Sequence, residues 1–161
     1  MTIEDCDFCA IIRGELTARI VHETEHTLAF FPVHPAARGH TLVIPKTHIA
    51  DFWSIDEVNA GHLSCAAMQV GHGLRRALNP QGLNIIQSSG AAASQTVFHL
   101  HIHMVPRWVG DHVGDLWPPS EQWSEIVEDQ VAEAVREACS ADHENRANAT
   151  TAVTPTTQID P

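Results

Sequence analysis

Basic residues are scarce in this chain: nine Lys and Arg stand against twenty Asp and Glu, giving a formal net charge of -11. Binding to a nucleic acid polymer depends on neutralising phosphates, so such a partner is not expected. A small ligand held by a local site remains compatible with that charge. Long apolar runs are also missing, and the opening stretch MTIEDCDF has neither a basic region nor an apolar core. No membrane partner is therefore expected, and the reading is of a soluble, cytoplasmic protein. Cysteines number only four. In a reducing compartment the close pair Cys6 and Cys9 reads as a metal or redox pair rather than half of a disulfide framework. There is no internal repeat. What remains is a chain of 161 residues with 43% hydrophobic content, long enough for one compact domain.

Short runs at 19–23, 27–31 and 41–45 have strand character, and residues 83–87 and 97–105 read as two further strands. Between them SIDEVNAGHLSCAAMQVGHGLRRALNP reads as a helix. Ser54 and Glu57 fit a capping box, Ile55, Val58, Leu63, Ala67, Val70, Leu74 and Leu78 recur near the helical period, and Asn79-Pro80 ends it. A second helix is expected to start near Ser120, with Trp123, Val127, Val131 and Val135 along one side. From Ser140 onward the chain is mostly Ala, Thr, Asn and Pro, and disorder is expected over 140–161.

The segment VFHLHIHMVPRW carries His99, His101 and His103 at alternate positions. On a strand these share one face, leaving Leu100, Ile102 and Met104 for a core. The row admits three readings: polar residues on a wet face, a catalytic metal site with imidazole ligands, or a histidine nucleophile. The loop before it, GAAASQ, is made of small residues and offers backbone amides with the short polar side chains of Ser94, Gln95 and Thr96. Imidazoles beside a loop suited to phosphate suggest phosphorus chemistry.

HLHIHMV matches the His-x-His-x-His-x-x pattern of the histidine-triad (HIT) superfamily of nucleotidyl hydrolases and transferases. DCDFCAIIRGE, RGHTLVIPKTH and SQTVFHLHIHMVPRW resemble successive blocks of its bacterial, Hint-type branch, in order over residues 5–108. The resemblance implies an α+β fold: an antiparallel sheet of about five strands with two helices, over residues 1–139, that dimerises into a continuous larger sheet. It implies hydrolysis of a phosphoramidate or dinucleoside polyphosphate to a nucleoside 5′-monophosphate. His101 would be the nucleophile and His103 the contact to phosphate or leaving group, with His40 beneath them. A neutral imidazole suits that role when its other nitrogen donates to a fixed acceptor.

The nucleotide would also meet Ser88, Ser94, Gln95 and Thr96. Cys6, Cys9, His48 and His99 would hold a structural zinc ion, and the chemistry would need no metal. The chain departs from the family pattern at Pro32, Ser88 and Ser94, which bears on substrate preference. Leu116–Pro119 resembles a Trp-Pro-Pro segment that in the family reaches the partner subunit; it is equally a proline at a helix start. Two other classes stay open: a non-catalytic nucleotide-binding or scaffold protein of this fold, and a hydrolase with catalytic zinc.

Overall fold

The computed structural model describes residues 4–117 and 119–151, with side chains to residue 141. It divides after residue 116 into two compact units. The first unit holds five antiparallel strands in the order β1-β2-β3-β5-β4: β1 (Arg19–Glu23), β2 (Thr27–Phe31), β3 (Thr41–Pro45), β4 (Gly82–Gln87) and β5 (Ile102–Arg107). Its helices are α1 (Asp7–Ile12) and α2 (Glu57–Leu78). The second unit contributes α3 (Glu125–Thr151). Among the described residues no helix is long and apolar enough to cross a membrane.

Strand alternation divides the core in two. Ala29, Val43, Leu100 and Met104 pack with Leu63, Ala67, Val70 and Leu74 of α2. The intervening Leu28, Phe30, Leu42 and Ile44 pack on the opposite face with Cys6, Phe8 and Cys9 around α1. Both faces of β2 and β3 are therefore covered, which is why these strands read as nearly unbroken apolar runs. Each fully buried Phe, Leu or Ile contributes about 1.5–3 kcal/mol. The expected inward set is observed, with Leu100 and Met104 buried and Ile102 packed against the α2 core.

Several boundaries differ from the sequence reading. Asp56, not Ser54, caps α2: its carboxylate accepts from the Asn59 amide at 2.8 Å. Ser54 is committed to the preceding turn, where Asp51 accepts from its amide and hydroxyl. The other end is as expected, with Asn79 in the left-handed region and its N–H on the Arg75 carbonyl. β5 starts at Ile102 rather than Val97, because Val43↔Ile102 is the last pair with β3. Continuing that register would set Pro45 opposite Leu100, and a proline has no N–H for the ladder. α1 has six residues, too few for periodicity to reveal. α3 starts five residues after Ser120, where Ser124 caps it, and continues past Ser140 to Thr151 through alanine and glutamate, which favour helix. Pro118 and residues 152–161 lie outside the described residues.

Gly39 sets the entry to β3 and so the position of His40. Its φ is +80°, and an added Cβ would lie 2.3 Å from Leu78 Cδ1. Leu78 can swing aside, but the backbone strain stays. Gly39→Ala is expected to cost about 1–3 kcal/mol, read as a lowered thermal midpoint of the full chain; an unchanged midpoint would show that the turn relaxes freely.

Candidate active site and metal centre

The antiparallel pairing of β3 with β5 brings the end of one strand beside the start of the other. His48 lies three residues beyond Pro45 and His99 three before Ile102, so both arrive at the same end of the sheet. α1 begins directly after Cys6, which puts Cys6 and Cys9 one helical turn apart and facing the same way. The four ligand atoms of Cys6, Cys9, His48 and His99 lie within 4.8 Å of one another. Cys9 Sγ is 3.2 Å from His48 Nδ1 and 3.5 Å from His99 Nδ1, and Cys6 Sγ is 3.5 Å from the same His99 nitrogen.

A tetrahedral ion about 2.3 Å from sulfur and about 2.0 Å from nitrogen separates those atoms by about 3.5 Å. The three sulfur–nitrogen distances match that spacing, and the four donors stand close enough together to take such an ion. His99 Nε2–H donates to the Pro45 carbonyl at 2.9 Å, leaving Nδ1 bare toward the thiols. Burial holds His99 neutral, its pKa down to about 4. Burial and the adjacent Cys6 push the Cys9 thiol up to about 11, so an arriving metal must displace its proton. This cluster could hold a metal ion, and its four members are those expected from the sequence.

His101 sits two residues on. Its Nδ1–H donates to the His99 carbonyl at 2.7 Å, which fixes the tautomer and leaves Nε2 with a lone pair. Phe8 walls the ring edge-on at 5.5 Å, and the His103 ring stands 4.8 Å away on the other side. A second chain of hydrogen bonds orients His103. The Ala36 amide donates to His40 Nδ1 at 3.0 Å, so the proton of neutral His40 is on Nε2, which donates to His103 Nδ1 at 2.9 Å. His103 therefore carries its own proton on Nε2, as an outward donor. The pair of imidazoles next to each other thus offers one bare nitrogen and one N–H. Burial lowers the pKa of His101 and of His40, and brings His103 down to about 4 with help from its two imidazole neighbours.

The loop before the triad is built differently from the sequence reading. Gln95 is only 4% exposed and its side chain is consumed within the protein. Its oxygen accepts from Gly90 N at 2.7 Å and its nitrogen donates to the Ala50 and Val97 carbonyls. Gln95 thus staples the loop rather than turning its amide outward. Ser94 holds a left-handed backbone with φ 66° and is exposed, as is Thr96. Ser88 is half-buried, and its carbonyl accepts from Gln87 Nε2. The neighbouring Ser89 does what composition could not reveal: its hydroxyl accepts from the Phe52 amide and donates to Gln87 Oε1. Phe8, Ala36 and Pro45 are the other site-forming residues missed, two of them acting through backbone atoms that carry no sequence signal.

The profile of the HIT domain matches residues 13–109. An uncharacterized HIT-like protein of Mycoplasma genitalium is 44% identical over 107 residues, 66% of this chain and 76% of that protein. The adenosine 5′-monophosphoramidase hnt1 of Schizosaccharomyces pombe is 32% identical over 114 residues, 70% of this chain and 83% of that one. Among solved structures, a HIT family protein from Bacillus anthracis superposes with a TM-score of 0.79 at 34% identity, covering 85% of this chain and 99% of that one. A Zn-bound histidine triad family protein from Mycobacterium smegmatis does so at 0.67 and 37% identity, covering 74% and 86%.

Neutral His103 has a consequence for pH. Its folded-state pKa of about 4 lies below the ordinary 6.5, so between those values the folded chain binds fewer protons at this residue than the unfolded chain. The contribution of His103 to stability is therefore full above about 6.5 and is lost as pH falls toward 4. In an NMR titration its ring resonances are expected to stay flat through pH 6.5 and to move near pH 4; a midpoint near the ordinary histidine value would contradict burial as what keeps this ring neutral.

Proposed function

This chain belongs to the HIT family, and from that premise we propose that it hydrolyses a nucleotide at its α-phosphorus through a nucleotidyl-His101 intermediate. The observation that carries the reading is the fixed tautomer of His101, whose bare Nε2 stands next to the outward N–H of His103. In the first step Nε2 bonds to phosphorus as the bond to the leaving group breaks, a phosphate departing as its anion and an amine departing neutral with a proton taken from solvent. The ring becomes a cation, and its Nδ1–H remains on the His99 carbonyl, whose partial negative charge stabilises it. The His103 Nε2–H hydrogen-bonds oxygen that gains charge in the transition state. A water then attacks the same phosphorus, the Nε2–P bond breaks, and a nucleoside 5′-monophosphate leaves while the proton of the water passes to product or solvent. The similarity to an adenosine 5′-monophosphoramidase supports an amine as one leaving group, and a further phosphate is the other.

Cys6, Cys9, His48 and His99 hold a structural zinc ion in this reading, supported by the sulfur–nitrogen spacing and by the similarity to a Zn-bound relative. With four protein ligands it closes the site to water and clamps the segment from which His101 projects. The working form is a homodimer. β4 is an open edge of the sheet, Ile85 on it is 60% exposed, and a cavity of about 650 Å³ runs between it and α2.

His101→Ala is expected to lower turnover at least about a thousandfold while zinc content and melting temperature stay near those of the native chain. Cys9→Ala is expected to lose zinc and to melt roughly 10 °C lower, yet to keep turnover in its folded fraction. Mass spectrometry of protein quenched during turnover should show one nucleotidyl group on His101. Full zinc in Cys9→Ala, or its loss in His101→Ala, would reverse the division of labour. Ile85→Glu, which sets a charge on the open edge, is expected to give a monomer by light scattering from a dimeric native chain; a native monomer would refute the assembly.

A further inference from the structure

Arg38 lies in the turn that delivers His40, and its guanidinium carbon is 5.3 Å from the centroid of the Trp108 ring. Among the described residues this ring is the only partner recorded for that side chain. The contrast with Arg107 is sharp. Arg107 donates to both oxygens of Asp111, to Asn84 Oδ1 and to the Gly114 carbonyl, and is fully committed. Asp111 is committed too, since its oxygens also accept from the Trp108 and Val113 amides.

A cavity of about 340 Å³ is lined by Ala36, Arg38, Trp108, Asp111 and His112, among others. Of the Arg and Asp side chains around it, only Arg38 has its charge uncompensated. The cavity starts where the catalytic hydrogen bonds end, because Ala36 lines it and also donates to His40. Alternation along β5 puts Arg107, and with it Asp111, on the same side of the sheet as His103.

We propose that Arg38, held over Trp108 at this cavity, is a leaving-group subsite that takes a phosphate remote from the one attacked, and so selects substrates whose leaving group is a polyphosphate chain. This rests on the reading that His101 attacks the α-phosphorus. The ring attracts the charge without taking up an N–H as a conventional acceptor would, so the guanidinium keeps donors for a phosphate, which it can receive through two parallel hydrogen bonds. Distance supplies the selectivity. From His103 to Trp108, whose ring Arg38 covers, is five residues, roughly 16 Å of extended chain. An amine bonded to the α-phosphorus does not reach that far, whereas a chain of phosphates does.

The test compares the native chain, Arg38→Gln and Trp108→Phe on a nucleoside phosphoramidate and on dinucleoside di-, tri- and tetraphosphates. Arg38→Gln is expected to lower kcat/KM about tenfold or more on the longest substrate, less on the shorter ones, and by under about twofold on the phosphoramidate. Trp108→Phe keeps an aromatic face and should lie between the two. Equal losses on every substrate, or none on the longest, would overturn the subsite. Calorimetry with a methylene-bridged dinucleoside tetraphosphate and with a nucleoside monophosphate separates this from the proposed chemistry. If nothing turns over but the native chain binds the bridged compound more tightly, and Arg38→Gln erases that preference, the subsite stands and the nucleophile assignment falls. If the native chain shows no preference, the subsite falls whatever the turnover.

Discussion

The carbonyl oxygen of His99 accepts the Nδ1 proton of His101 at 2.7 Å, while the ring of the same residue is tied through Nε2 to Pro45 and faces the two thiols with Nδ1. One residue thereby belongs to both sites, by its side chain to the Cys/His cluster and by its backbone to His101. The orientation of that carbonyl depends on where the ring is held. Because β5 does not begin until Ile102, no sheet ladder holds residues 99–101. The Leu100 amide on the Ile49 carbonyl and the His99 ring in its cluster are what hold them. A metal at the cluster would thus add to a hold that the Leu100–Ile49 and His99–Pro45 hydrogen bonds already provide, without touching His101 itself.

Burial does the second part of the work. In water an imidazole is a mixture of two tautomers and, below its pKa, a cation. Here His40, His101 and His103 are each driven toward the neutral form by loss of solvent, and each has one ring nitrogen assigned by a hydrogen bond. Tautomer choice then passes along a line of contacts: the Ala36 amide decides His40, and His40 decides His103. A cation at any of the three would raise the electrostatic cost of a second one beside it. Neutrality of the whole group is what lets three imidazoles stand so close together.

How much of this could be read from residues alone depended on which atoms carry it. The bounds of β1, β2 and β3 were legible because alternation and apolar runs are side-chain signals. The four members of the Cys/His cluster, which could hold a metal ion, were likewise legible once the blocks around them were matched to a family. The capping of α2 went to Asp56 because Ser54 had a prior engagement with Asp51, a competition that spacing cannot rank. β5 started late because Pro45 on the neighbouring strand lacks a donor, a cross-strand effect invisible in either segment alone. Gln95 has the composition of a ligand contact, yet its amide is the staple of its own loop. The residues least legible, Ala36 and Pro45, contribute a backbone N–H and a backbone carbonyl, groups that nearly every residue possesses.

The charge of the protein bears on how an anionic substrate is held at all. With a formal net charge of -11, the long-range field repels nucleotides, so capture cannot rely on steering from a distance. Recognition must be local, from donors that act over hydrogen-bond distance and are little affected by the overall charge. The neutral N–H of His103 is such a donor. So are the backbone amides of the loop from Gly90 to Gln95, apart from those that Gln95 and the turn already use. Against this background a single uncompensated guanidinium carries unusual weight, because every other strongly basic group given a contact on that face is neutralised within the fold, as Arg107 is by Asp111. A neutral group of imidazoles with one cation set in the turn that delivers His40 separates two tasks. On the proposed reading, the neutral imidazoles would treat any α-phosphorus alike, and Arg38 would decide which leaving groups gain.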